Sequence, residues 1–234
     1  MIDATIVYYT SNGEKPEFEA KIVENLKQVS NGLPIISVSQ KPMDLGTNIC
    51  VGEVGKCYAN GFRQLIIGVE AAKTEWIIVA ESDCLYPPLY FNHPPKPVAE
   101  CYGGTGLHRY SSVWILWTSD CYRAGSKRTT GYYRKAFTEG AQMCPRDNYL
   151  YRLNWAMRRR PMWQDPSDPW RPTWKLPYFP RKRKWEWYGS EDQPMVSFKT
   201  GHGVQPNTGT RGDVAPVDVL PYWGPANDLR KRME

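Results

Sequence analysis

No stretch of this chain is apolar for anything near the roughly 18 residues that a membrane-spanning helix needs, and the N-terminus lacks a basic segment leading into an apolar signal region. A soluble, cytoplasmic, non-secreted protein is expected. Histidine is scarce, with 3 residues, and the 6 cysteines (50, 57, 84, 101, 121, 144) form no C-x-x-C pair. That scatter excludes a compact disulfide framework and reads as reduced thiols. A zinc site built with His93, His108 or His202 finds no support in the spacing.

What is present is unevenly distributed. The 234 residues are enough for one sizeable α/β core, and they carry a net charge of +6. Residues 123–187 hold 16 Lys/Arg against 5 Asp/Glu, a balance of +11, which leaves −5 for the rest. The same segment holds Trp155, Trp163, Trp170, Trp174, Trp185 and Trp187, six of the ten tryptophans.

Hydrophobic patterning organises the first half. Thr5 to Tyr9 reads as a buried strand that breaks at Thr10-Ser11-Asn12-Gly13. Phe18, Ile22, Leu26 and Val29 recur at helical spacing and predict a helix over 17–29. Pro34 to Ser39 predicts a second strand, and residues 53–73 a longer helix with Phe62, Leu65, Ile66, Val69 and Ala72 as its core stripe. Lys56, Asn60, Arg63 and Gln64 fall on another side of that helix, either a solvated face or one near the strand ends.

Trp76 to Ala80 shows no polar alternation, as expected of a strand covered on both faces. It ends in Glu81-Ser82-Asp83, and Pro87-Pro88 is expected to interrupt regular structure. The order strand, helix, strand, helix, strand predicts an α/β fold with a mostly parallel sheet, whose ligands sit beyond the carboxyl ends of the strands. Glu81 and Asp83, at i and i+2, point the same way if extended, so two hard oxygens could share Mg²⁺ or Mn²⁺ and a substrate diphosphate. A solvated acidic strand end is the alternative. Beyond Pro88 the patterning weakens to a strand at 113–117, a helix at 147–157, an aperiodic Pro/Trp-rich stretch at 158–188 and a strand at 195–198.

Several stretches together resemble the small GT-A glycosyltransferases of bacteria and phages, distant relatives of the family-2 group. They are Ile6 to Thr10, Pro34 to Pro42, Asn48 to Gly52, Asn60 to Gln64 and Glu81 to Pro88. Over residues 5–91 the resemblance is best. It thins to Val113-Trp114, Ala141 to Leu153, the Gly201-His202-Gly203 turn and Leu220 to Gly224.

The resemblance implies a single Rossmann-like GT-A domain, in which 1–122 is the nucleotide-sugar half. Residues 123–234 then form the acceptor side, with the basic excursion 158–188 and a metal-completing tail. It implies a hexosyltransferase using a nucleotide-sugar, a UDP-sugar foremost, and a divalent metal, Mn²⁺ or Mg²⁺. Glu81-Ser82-Asp83 occupies the place of the acidic D-x-D motif, with Asp83 as the direct ligand and His202 completing the shell. Tyr9, Thr10, Asn60, Arg63, Gln64 and Glu81 would contact the donor. Asp147 is implied as catalytic base, with helix capping as its other role and Asp120, Glu191 and Asp192 as rivals.

The acceptor is read from composition. Arg158, Arg159, Arg160 and Arg181, Lys182, Arg183, Lys184 bracket Trp163, and cations interleaved with rings suit a nucleic-acid groove. Among phage-type relatives that points to a hydroxymethylated pyrimidine in DNA. A cell-surface glycan or other polymer, an anionic lipid surface, a minor core filled by the tryptophans and a non-catalytic nucleic-acid-binding relative remain the alternatives.

Overall fold

The uninterrupted apolar strands are explained by two cores. In the computed structural model, which describes residues 2–101, 104–121, 131–136, 138–168, 185–202 and 214–234, β1 (Ala4–Thr10) lies parallel to the later strand Trp76–Glu81. Ala4, Ile6, Tyr8, Trp76, Ile78 and Ala80 pack into one core beside helix α1 (Pro16–Val29), through Phe18, Ile22 and Leu26. Val7, Ile77 and Val79 pack on the other face. Side chains alternate along a strand, so only a doubly covered strand can be apolar at every position.

β2 (Ile35–Ser39) and β3 (Thr47–Cys50) extend the parallel array from β1, and α2 (Tyr58–Ala71) covers the second face. All five residues of the expected core stripe are buried, and each contributes roughly 1–3 kcal/mol by leaving water. The helix is shorter than the patterning predicts, because the side chain of Gln40 holds residues 54 and 55 in a loop. Its Oε1 accepts from the Val54 and Gly55 amides (both 3.1 Å), and its Nε2 donates to the Gly55 carbonyl (2.8 Å). Gly55 takes φ +80°, which a side chain would resist.

The strand Trp76–Glu81 is β4, and β5 (Cys84–Leu85) follows after a two-residue turn. Regular structure breaks at Tyr86-Pro87 but resumes at Pro88, sooner than expected. Pro88 opens the short helix α3 (Pro88–Asn92), where a first-turn proline loses no hydrogen bond.

Next come β6 (His108–Tyr110), β7 (Val113–Trp117), β8 (Tyr133–Lys135), β9 (Gln142–Pro145) and α4 (Arg146–Met157). The chain closes with β10 (Glu186–Tyr188), β11 (Met195–Lys199), the hairpin of β12 (Val219–Leu220) and β13 (Gly224–Pro225), and α5 (Ala226–Met233). The central sheet has seven strands in the order β10-β6-β9-β4-β1-β2-β3, mostly parallel, with β9 antiparallel to β4 and β6.

A second sheet, β5-β11-β7-β8, was not foreseen. Two of its members, β7 and β11, match strands expected at 113–117 and 195–198, but β5 and β8 are only two and three residues long, too short to show a pattern. The halves 1–122 and 123–234 are interleaved: β9 and β10 enter the central sheet, while β5 and β7 belong to the second. No helix among the described residues is long and apolar enough to cross a membrane.

Candidate functional site at the carboxyl ends of the central strands

The parity that fills the two cores also aims the site. Tyr9 and Glu81 are register partners on β1 and β4 and continue the odd-numbered series, past the point where α2 begins to cover that face. They open on a cavity of about 340 Å³. Its wall is formed by the β1 end (Tyr9 to Ser11), Glu14, the α2 entry (Gly55 to Tyr58, Gly61, Phe62 and Gln64), the tip Glu81-Ser82-Asp83 and, from the second half, Lys135, Thr138, Glu139 and Lys199.

The acidic tip is held rigidly. The Glu81 amide donates to the Tyr86 hydroxyl (2.9 Å), which donates onward to the Gly140 carbonyl (2.7 Å). Tyr90 caps the Val79 carbonyl (2.7 Å). The Tyr9 hydroxyl donates to Glu81 Oε1. A Cβ at Gly140 would fall 2.2 Å from Glu81 Oε2, so only glycine leaves room for this carboxylate. Burial, reinforced by Asp83, raises the Glu81 carboxyl above the ordinary carboxylate range, with the Tyr9 hydrogen bond acting against it.

Asp83 lies in the turn that joins the two sheets. Its Oδ1 accepts from the Cys84 thiol (3.2 Å), which burial keeps protonated, and its Oδ2 is 3.7 Å from Lys199 Nζ. Burial alone would lower the Lys199 ammonium, but the pull of Asp83, aided by Glu81, raises it. Lys135 shifts the other way, lowered by burial and by Lys199 against the pull of Glu81.

The carboxylates meet the first requirement of a hard divalent cation. Ligand atoms of Glu81, Asp83 and Cys84 lie within 4.8 Å of one another, and this is the only such group among the described residues. The two oxygens suit Mg²⁺ or Mn²⁺, whereas a protonated thiol does not.

Other expected residues are placed differently. His202 does not join Asp83: its Nε2 is 3.5 Å from Asp120 Oδ2, in a smaller neighbouring cleft with Lys15 and Thr200. The side chain from the end of β11 that reaches Asp83 is Lys199, three residues earlier. Asp147 lies at the wrong end of the sheet for a catalytic base. β9 runs antiparallel to β4 with Pro145 opposite Trp76, and the Arg146 amide bonds the Glu75 carbonyl (2.8 Å). Asp147 therefore sits beside the start of β4, about 16 Å from Glu81 at ~3.3 Å per residue, exposed and paired with Arg146 (3.1 Å).

Among the rivals for base, Asp120 pairs with Lys15 (2.6 Å). Glu191 is gripped by Arg134, and Asp192 is exposed. None of the three lines the cavity.

Asn60 and Arg63 do not face the cavity either. Asn60 Nδ2 donates to the carbonyls of Val54, Gly55 and Gln164, and its Oδ1 accepts the Gln164 amide (2.7 Å). Arg63 donates to the carbonyls of Met157, Arg160 and Pro161. Both fasten residues 157–164 to α2. Gln64 does line the cavity, but its Nε2 is committed to the Thr10 and Val38 carbonyls (2.7 and 3.0 Å). Thr10 donates to Glu19 beneath the cavity floor.

Reading for motifs missed Lys135, Lys199, Glu14 and Glu139. Glu14 Oε2 is buried with no hydrogen-bond partner among the described residues, and burial raises that carboxyl. Glu139 Oε1 is held by Arg109 Nη2 (3.0 Å). A lysine ending a strand was the only signal for Lys135 and Lys199, and it is too common to single out.

The basic excursion packs back on α2, where the Gln164 carbonyl meets Asn60 (3.0 Å) and the cavity-lining Cys57 (4.0 Å). Arg158 and Arg159 are exposed, with Arg158 stacked 3.7 Å over the Trp155 ring. Arg160 reaches Asp168 (3.4 Å), and Trp163 is half-buried. Arg181, Lys182, Arg183, Lys184, Trp170, Trp174 and Gly203 lie outside the described residues. His93 and His108 are ring neighbours at 6.2 Å, away from His202: His93 stacks on Tyr188, and His108 bonds the Gly106 carbonyl and the Lys96 amide. All six cysteines are free.

No family model matches this sequence, and no curated protein does. Among solved structures the chain is similar to a glycosyltransferase involved in glycosylation of the major capsid of PBCV-1. That pair is 16% identical, covering 83% of this chain and 92% of the other, with a TM-score of 0.43. It is similar to residues 1–349 of TarS from S. aureus, at 9% identity over 62% of this chain and 47% of that one, TM-score 0.38. This chain thus spans about half of the TarS fragment. The inositol-1-phosphate CTP transferase from T. maritima is matched at 12% identity, covering 63% and 72%, TM-score 0.38. Likeness at these scores carries no weight for the chemistry.

Proposed function

We propose that this chain is a glycosyltransferase that moves a sugar from a nucleotide-sugar, a UDP-sugar foremost, to a hydroxyl acceptor. The observation that carries this reading is the convergence of Glu81 and Asp83 at the carboxyl end of β4, at the floor of a cavity open enough for a nucleotide. The sequence resemblance over residues 5–91 supports the same reading.

Glu81 and Asp83 would hold Mn²⁺ or Mg²⁺, which when bound would neutralise charge on the departing nucleoside diphosphate. Tyr9 orients Glu81 through its hydroxyl, and the Tyr86–Gly140 bonds keep the β4 tip from yielding. Thr10 and Gln64 shape the nucleoside end of the cavity wall. Glu139, the carboxylate that the second half contributes to that wall among the described residues, replaces Asp147 as the group that takes the acceptor's proton. Arg109 fixes its orientation.

For the acceptor we favour a hydroxymethylated pyrimidine in DNA. Exposed Arg158 and Arg159 beside Trp155, together with exposed Tyr151 and Trp187, offer cations for phosphates and rings for bases. A glycan acceptor would use the same rings and would need none of the charge.

The test is release of UDP from UDP-sugars in the presence of Mn²⁺. The wild type is expected to turn over at least one common donor, and Asp83→Asn to fall to background while its far-UV circular dichroism is retained. Neither turnover nor metal-dependent nucleotide binding with any common donor would overturn the enzyme reading.

A further inference from the structure

We propose that Lys135 and Lys199 form a diphosphate cradle facing the acidic tip, so that the cavity takes a metal–diphosphate unit from two sides. This rests on the donor-site reading above and names the residues that would hold the phosphates. β11 and β8 both pair with β7, and Lys199 and Lys135 are in register with Trp117 and Val113. Those two positions are four residues apart on β7, so both lysines belong to one face of the second sheet. That face meets the cavity, and both lysines line it. The central sheet supplies the carboxylates through β4, and the second sheet supplies the ammonium groups.

The charges are only partly satisfied within the protein. Lys199 is buried, and its recorded partner is Asp83 at 3.7 Å, longer than a charge-assisted hydrogen bond. Lys135 makes no ion pair or hydrogen bond among the described residues, although it is partly buried in the cavity wall. An ammonium withdrawn from water without a close carboxylate is costly unless a ligand supplies the counter-charge. Glu81 and Asp83 lie nearby and would repel a bare polyanion. A divalent cation on the carboxylates removes that repulsion, so cation and diphosphate each make the other's place favourable.

Inorganic pyrophosphate with Mg²⁺ is the direct probe, because it carries no nucleoside or sugar. Titration calorimetry at low salt should show pyrophosphate binding to the intact chain, weakened about tenfold or more by Lys135→Met and by Lys199→Met. Lys135→Arg should restore most of it. Circular dichroism melts identify any variant that fails to fold, and since Lys199 is buried, Lys135→Met decides the matter if Lys199→Met does not fold. Absent binding by the wild type, or equal binding by wild type and Lys135→Met, overturns the cradle. UDP-sugar hydrolysis separates the two ideas. Lysine-dependent pyrophosphate binding without donor turnover keeps the cradle and removes the glycosyltransferase; turnover with lysine-independent pyrophosphate binding does the reverse.

Discussion

Arg134 grips Glu191 with both terminal guanidinium nitrogens, at 2.6 and 2.7 Å, while its plane lies over Trp114 at 5.1 Å. The Arg134 bonds, opposed by desolvation and aided by Ser112, hold the Glu191 carboxyl below its ordinary value. A folded-state value below the unfolded one means that the unfolded chain binds the proton more readily. The contribution to stability is therefore complete above the ordinary carboxylate value of about 4.3 and is lost as pH falls through the depressed one. Glu191→Gln should lower thermal stability slightly at neutral pH, because Glu191 is 65% exposed. Its melting temperature should converge on the wild type as pH falls through the depressed value. A difference that persists unchanged into acid would mean that the pair acts through shape alone. At this scale the sequence announces residue types but not partners. Asp147 leads as base and Glu191 stands as a rival until the first is found at the far end of the sheet and the second bound to an arginine.

At the scale of elements, α2 does two jobs that its pattern only half reveals. Its apolar stripe, legible at helical spacing, packs on the central sheet. On its polar side, which suggested donor contacts, Asn60 and Arg63 are spent on the backbone of residues 157–164 and Gln64 on the Thr10 and Val38 carbonyls. Asn60→Ala removes four hydrogen bonds at once and leaves the Gln164 amide and the neighbouring carbonyls to find other partners. The expected cost is about 1–3 kcal/mol in a urea melt, with faster proteolytic cleavage in 158–168 and retained nucleotide binding. Loss of nucleotide affinity with unchanged proteolysis would return Asn60 to the donor site. The helix α4 shows the same limit. Its position in the sequence was readable, but its direction relative to β4 was not, because an antiparallel β9 breaks the parallel pattern that the first five elements establish.

At the scale of the molecule, the turn Ser82-Asp83 carries the chain from the central sheet into the second, with the acidic tip on one side and β5 on the other. Residues 157–164, where the basic excursion leaves α4, are fastened to α2 beside the cavity-lining Cys57. DNA containing hydroxymethylcytosine, incubated with a UDP-sugar and Mn²⁺, should gain a hexose detectable by mass spectrometry, and unmodified DNA should not. The yield should fall steeply with salt as phosphate contacts are screened. Intact donor turnover with no mass gain on modified DNA would move the acceptor to a glycan.

The sequence by itself determined the α/β class, the parallel start of the central sheet and the place where a site belongs. Burial on both faces writes itself as unbroken apolar runs, and the end of burial as Glu81-Ser82-Asp83. Only the tertiary structure decided which other side chains reach that tip. Lys199 arrives where His202 was expected, Lys135 and Glu139 join from the second half, and Asn60, Arg63 and Asp147 are drawn elsewhere. Those outcomes depend on strand direction, register and hydrogen-bond partners between residues far apart in the chain, which no local pattern records.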